Sequence, residues 1–156
     1  MTPEKLQEDL IDELKKMFSN IEFTDENGKK DVMNFFKQSL PRKKSDEEPD
    51  PFPWCVVALR ENKVNDVGDL NQIQDVELYF GIYYDNPDCQ YQHTMLSMFE
   101  KVKKRFLTNP IIGEFSALPD IVSILDNSDA ETYPFYFAGM ALKFYMPNYE
   151  REDDFS

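Results

Sequence analysis

Asp75-Val76-Glu77-Leu78-Tyr79-Phe80-Gly81-Ile82-Tyr83-Tyr84-Asp85 is the stretch whose reading decides the fold. Val76, Leu78, Phe80, Ile82 and Tyr84 alternate with Asp75, Glu77, Tyr79, Gly81, Tyr83 and Asp85, the period of two that a half-buried strand requires. Apolar side chains on one face contribute about 1.5–3 kcal/mol each when fully buried, so this face demands a covering layer. On the other face two tyrosines flank a glycine. That flat, partly apolar surface is half-solvated sheet in a monomer.

Downstream, Asn86-Pro87-Asp88 breaks the strand, and Met95, Phe99, Val102 and Phe106 follow at helical spacing from about Gln90 to Leu107. Lys101, Lys103, Lys104 and Arg105 crowd the second half of this helix. They read either as a solvated helix end in favourable contact with the dipole or as a contact for phosphate or an acidic partner. Upstream, Trp54 to Leu59 is a continuous apolar run of the length and β-branched content of a buried strand. Polar residues from Arg60 to Gln74 read as the connection that makes these two strands antiparallel neighbours. A second amphipathic helix opens the chain: Thr2 caps it, Pro3 suits its first position, and Leu6, Leu10, Leu14 and Met17 form its stripe.

Between helix and strand, Ile21 to Phe23 reads as a short strand, and Asp31 to Leu40 fits neither period and reads as an irregular or short extended piece. Pro41 to Pro53 combines a basic run, an acidic run and closely spaced prolines, the composition of a mobile loop. Its length points to a role in reaching a neighbour, or equally to a tolerated surface insertion. Ile111 to Phe115 and Ile121 to Leu125 are edge strand or turn material. Phe135 to Met146 reads as a last strand, apolar on both sides, and the acidic tail from Asn148 to Ser156 frays. The expected fold is therefore α+β, one domain over residues 1–147 that includes the mobile loop 41–53: a mainly antiparallel sheet of about four strands covered by two amphipathic helices, followed by the acidic tail 148–156.

Composition narrows the function. Among 156 residues, thirty Asp and Glu stand against seventeen Lys and Arg, a net charge of −13, which opposes broad binding to a phosphate backbone. Cys55 and Cys89 read as free thiols, because neither has the second Cys or His cluster of a zinc site or the company of a disulfide framework. The lone histidine, His93, lies four residues after Cys89, with no orienting third residue. Five scattered glycines make no phosphate loop. The expectation is a protein that is not an enzyme and has no catalytic residue, metal or cofactor. No stretch approaches the roughly 18 apolar residues of a membrane span, and the N-terminus lacks the basic and then apolar pattern of a signal region. The expected location is the cytoplasm, with no membrane partner.

Several phrases, in order, carry a resemblance: Gln38-Ser39-Leu40-Pro41, Pro53-Trp54-Cys55-Val56-Val57, Phe80-Gly81-Ile82-Tyr83-Tyr84-Asp85, and Tyr133-Pro134-Phe135-Tyr136-Phe137-Ala138-Gly139 leading into Leu142-Lys143-Phe144-Tyr145-Met146-Pro147. With them the chain resembles the tail terminator and tail completion (head-tail joining) family of long-tailed phages and prophages. The resemblance implies a small α+β subunit forming a sixfold ring in the virion, assembled in the host cytoplasm. The ring caps the tail tube, ends its polymerisation and meets the head connector. Its partners would be itself, the tail tube protein and a neck or connector protein, with DNA passing through the lumen without specific binding. An acidic lumen keeps passing phosphates from sticking. The stretch from Arg42 to Pro53 is longer than the family requires.

The family supplies no ligand residue to transfer, so the candidate sites are contacts between proteins. Arg42, Lys43 and Lys44 would meet an acidic neighbour, Phe52 and Trp54 would anchor the loop base, and Tyr79 and Tyr83 would present the outer sheet face. Tyr149 and Phe155 would belong to a docking arm. The alternative, from a different class, is a non-catalytic adaptor or inhibitor domain that binds a basic protein through its acidic surface.

Overall fold

A computed structural model describes residues 2–24, 29–46, 51–67, 69–86, 91–125 and 132–147. Two helices, α1 (Pro3–Phe18) and α2 (Gln92–Thr108), lie on one face of a sheet. The strands are β1 (Phe23–Thr24), β2 (Lys30–Asp31), β3 (Asn34–Lys37), β4 (Trp54–Val67), β5 (Asp69–Tyr83), β6 (Ile111–Ile112), β7 (Phe115–Ala117), β8 (Val122–Leu125) and β9 (Phe135–Met146). β1 and β2 form a separate small pair. The other seven make one sheet in the order β3-β4-β5-β9-β7-β6, with β8 also on β9.

The α+β class agrees with the sequence, but the expected sheet of about four strands is contradicted by this seven-stranded, curled half-barrel. Two misreadings and one omission from the count account for the difference. The segment 31–40, taken as irregular, contains β3, which runs parallel to β4 from Asn34↔Trp54 to Lys37↔Val57. Its Phe35 packs into the core on the helix side while Phe36 packs on the opposite face, and a strand buried on both faces shows no alternation.

The polar run from Arg60 to Gln74 is not a connecting loop. β4 and β5 stay paired through it to Val67↔Asp69. β9 ends at Met146↔Gln72, so among the described residues the far part of this hairpin has no third strand beside β5. Residues 60–64 are exposed, and without a dry face nothing imposes a hydrophobic period. The third difference is one of counting: the pieces read as edge strand or turn material supply the short strands β6, β7 and β8, of which β7 and β8 continue one another along the outer edge of β9. Ser116↔Tyr145 and Ala117↔Phe144 are followed, across Leu118 to Ile121, by Val122↔Ala141 to Leu125↔Ala138 in a register shifted by two.

The core forms where the two helices cover the sheet. Thr2 caps α1 by accepting from the Lys5 N–H at 3.3 Å, and Leu6, Leu10, Leu14 and Phe18 are buried. They meet Cys55 and Val57 of β4, Val76, Leu78, Phe80 and Ile82 of β5, the even-numbered residues of β9, and Met95, Phe99, Val102 and Phe106 of α2. Arg105 is a clamp rather than a solvated cation: it donates to Glu13 of α1 at 2.5 Å and to the carbonyl of Ile111 at 3.0 Å.

Buried amides join the elements where apolar contacts cannot. Gln7 of α1 donates to the Val57 carbonyl at 2.7 Å and to Gln38 Oε1 at 2.9 Å. Gln38 itself ends β3 with a positive φ of 65°, and its amide accepts from the Leu59 N–H and donates to the Leu59 carbonyl. It thus extends β3 along β4 by a side chain. One residue later β4 bulges, since Leu59↔Val76 gives way to Asn62↔Gln74. The buried Gln74 amide fills that gap, donating to the carbonyls of Arg60, Glu61 and Asp75.

Candidate contact face

The helices cover one face of the sheet, and the side chains of the other face define the candidate site. β4 contributes Trp54, Val56 and Ala58; β5 contributes Glu77, Tyr79, Gly81 and Tyr83; β9 contributes Phe135, Phe137, Gly139 and Ala141; β8 contributes Val122 and Ile124. The pairing sets them in rows, of which Val56, Tyr79, Gly139, Ile124 and Ala58, Glu77, Ala141, Val122 are the central two.

Aromatic rings fill the end of this face near Tyr83. Phe52, at the foot of the 41–53 loop, has its ring centroid 4.7 Å from that of Phe135 and 5.9 Å from that of Trp54. Trp54 lies 6.0 Å from Phe137, and Tyr83 lies 5.6 Å from Phe135. Phe52 and Trp54 are both only 8% exposed, so the two proposed anchors are packed inside their own subunit. Gly81 sits under the indole.

Toward β8 the cover ends. Gly139 and Ala141 form the floor of a shallow trough of about 150 Å³, walled by Tyr79 and Glu77 on one side and by Val122 and Ile124 on the other. Val122 and Ile124 are 48% and 64% exposed, and Tyr145 and Ile111 continue the exposed apolar strip beside them. At its β4 margin stands a polar group. Arg60 donates to Glu77 at 3.1 Å and to the Tyr79 hydroxyl at 2.8 Å, and Tyr79 donates to Glu77. The Tyr79 hydroxyl, helped by Arg60, holds the Glu77 carboxyl below the usual carboxylate range against an opposing desolvation. Tyr79 is thereby held at one orientation, its ring under the Arg60 guanidinium at 5.4 Å.

The remaining sequence candidates fall elsewhere. Arg42, Lys43 and Lys44 are exposed on the part of the loop that the structure describes. Tyr149, Phe155 and Cys89 lie outside the described residues, as does the rest of the tail 148–156. Cys55 is fully buried within β4, and that burial pushes its thiol pKa up, away from nucleophilic use. His93 is exposed on α2. A larger open cavity of about 330 Å³ at the end of β5 is lined by Glu22, Phe23, Tyr84, Asp85 and Thr94 among others, and its Asp85 already accepts from Tyr133 at 2.6 Å and Tyr83 at 3.2 Å. Among the described residues no three His, Cys, Asp or Glu gather as a metal site, and no helix is long and apolar enough to cross a membrane.

Val122, Ile124, Gly139, Ala141 and Arg60 were missed as site residues. The small residues at alternate positions of Phe135 to Met146 were the available signal, since a glycine and an alanine on one face of a strand lower its floor. No protein-family model and no curated protein matches the chain. What the fold and the face define together is an α+β protein with one sheet face closed by helices and the other open along one margin.

Proposed function

We propose that this chain is a structural subunit of a phage tail or neck, forming a ring, in keeping with a hexamer, that caps the tail tube, ends its polymerisation and joins it to the head connector. One observation carries the reading: the exposed apolar strip of Val122, Ile124, Ala141 and Tyr145 on an otherwise packed sheet face. Contiguous apolar surface of this kind marks an interaction site. A cyclic assembly covers such a strip on every copy, because each subunit presents the same patch to the next. The ordered phrases of the terminator and completion family, which recur at β4, β5 and β9, support the same reading.

In this reading the protein acts by shape and contact, without catalysis, cofactor or metal, and works in the virion after assembly in the host cytoplasm. The net charge of −13 suits a conduit for DNA, whose phosphates then pass without adhering. The same charge favours the second reading, an adaptor or inhibitor domain that binds a basic protein as a monomer.

Polymerising the phage's tail tube protein with and without this chain separates the two. A terminator stops tubes at a defined length and appears in electron micrographs as a ring on one end. Tubes that grow equally long in its presence, together with tight and salt-sensitive binding of a cationic protein, would replace the first reading by the second.

A further inference from the structure

Among the described strands the sheet is open at β3 on one side and at β8 and β6 on the other, and of these β3 and β8 match each other. β3 (Asn34–Lys37) and β8 (Val122–Leu125) are the same length, and among the described strands each pairs on one side only, β3 with β4 and β8 with β9. They also stand at the same height. Following the pairs across the sheet, Phe36 leads to Val56, Tyr79, Gly139 and Ile124, and Lys37 leads to Val57, Leu78, Met140 and Ser123.

Chain direction matches as well. β3 is parallel to β4, and each step from β4 to β5, β9 and β8 is antiparallel, so β3 and β8 run in opposite directions. A second copy brought alongside without inversion therefore sets its β3 antiparallel to β8, the pairing that sheets form most readily.

We infer that copies of this chain join head to tail through these edges, β8 of one subunit accepting β3 of the next, so that the sheet continues around the assembly. The inference rests on the ring reading and names its contact. Edge strands are normally defended by charge, proline or a bulge, yet Val122-Ser123-Ile124-Leu125 contains no charge and no proline, and Val122 and Ile124 are exposed. Addition at the shared height puts Phe36 of the incoming copy beside Ile124, covering the strip on the open face. Main-chain bonds supply the strength of such a joint and flanking side chains its register. Two-fold pairing of β8 with another β8 would leave both β3 edges open and stop at a dimer. Pairing of unlike edges repeats and can close.

Two sets of variants test this by light scattering and by gel electrophoresis. Ile124→Lys charges the edge at a side chain that is already in water, so the subunit should keep its circular dichroism and melting temperature while the assembly falls to monomers. Phe36→Cys combined with Ile124→Cys, in a Cys89→Ser background, reads the contact directly. Within one chain the two sites are four strand spacings apart, about 19 Å, beyond the reach of a disulfide. Oxidation should give a ladder of linked chains in the double variant alone.

If the wild-type chain assembles but Ile124→Lys assembles equally well and no ladder forms, the edge contact is wrong and the ring reading survives. Dimers from Ile124→Cys alone would show two-fold β8 pairing and overturn the inference. A wild-type chain that stays monomeric with its tube protein present would remove both.

Discussion

The indole of Trp54 lies flat on Gly81: a Cβ at that glycine would stand 2.3 Å from Trp54 Cε2 and 2.7 Å from its Nε1. The two residues face each other across β4 and β5 in the register Trp54↔Gly81, and Phe52 and Phe137 pack on the indole and on each other. Glycine is needed here for close approach, since neither the indole, boxed in by rings, nor the ladder can move aside cheaply.

Gly81→Ala should therefore destabilise the fold by about 1–3 kcal/mol, the usual cost of overpacking. Urea unfolding measures it. Trp54 is the only tryptophan of the chain, so its fluorescence should also shift to the red as the ring is pushed toward water. An unchanged midpoint and spectrum would mean that the ring has room to slide.

Gln38 is a second point where one side chain decides local structure. Gln38→Ala removes the amide that satisfies both Leu59 backbone groups and takes one partner from the buried Gln7. A loss of about 0.5–1.5 kcal/mol is expected, since water can reach the groups left behind. Because φ is 65° at this position, Gln38→Gly should be milder than Gln38→Ala in the same thermal unfolding series. Equal losses would deny the backbone a share.

The Arg60, Glu77 and Tyr79 group predicts a pH dependence. Glu77 has a folded-state pKa below its unfolded value, which is ordinarily about 4.3. Its contribution is complete above that unfolded value and disappears as pH falls through the folded one. More than a third of each side chain of the Arg60 and Glu77 pair is exposed, so less than about 1 kcal/mol is at stake. Stability curves of wild type and Glu77→Gln should converge at acid pH and separate above it. Parallel curves would refute the coupling.

Tyr79 and Tyr83 share a face but not a role. Tyr83 packs on Phe135, so Tyr83→Ser should lower the melting temperature. Tyr79 forms a wall of the open trough, so Tyr79→Ser should leave a folded monomer and weaken assembly instead. Sedimentation velocity separates the two effects. Equal loss of folding in both would mean that the trough wall is part of the subunit's own core.

How much of this was legible depended on which side chains had one dry face. Val76, Leu78, Phe80 and Ile82 announced β5 because helices cover them and not Glu77 or Tyr79. Thr2 and Pro3 announced α1 by capping chemistry that needs no tertiary context. β3 hid because Phe35 and Phe36 are both packed, and the far part of β4 hid because Arg60 to Val64 face water. β8 was legible only as edge strand or turn, since Val122 and Ile124 point away from the core while Ser123 points toward it. That inverted pattern looks like a turn in a lone chain and like an interface once the sheet is seen. Tyr79 and Tyr83 were found on the correct face from the period alone. Phe52 and Trp54 were expected as apolar anchors at the loop base, and the Gly81 notch that takes the indole is visible only from the strand pairing.

The most direct test of the proposed ring is the mass of the protein in solution, measured by size-exclusion chromatography with multi-angle light scattering on the full chain, alone and mixed with a candidate tail tube protein. The account predicts a discrete species near six times the mass of one 156-residue chain, free or bound to tube ends. A single species of one chain's mass at every concentration, with the tube protein present, would contradict it.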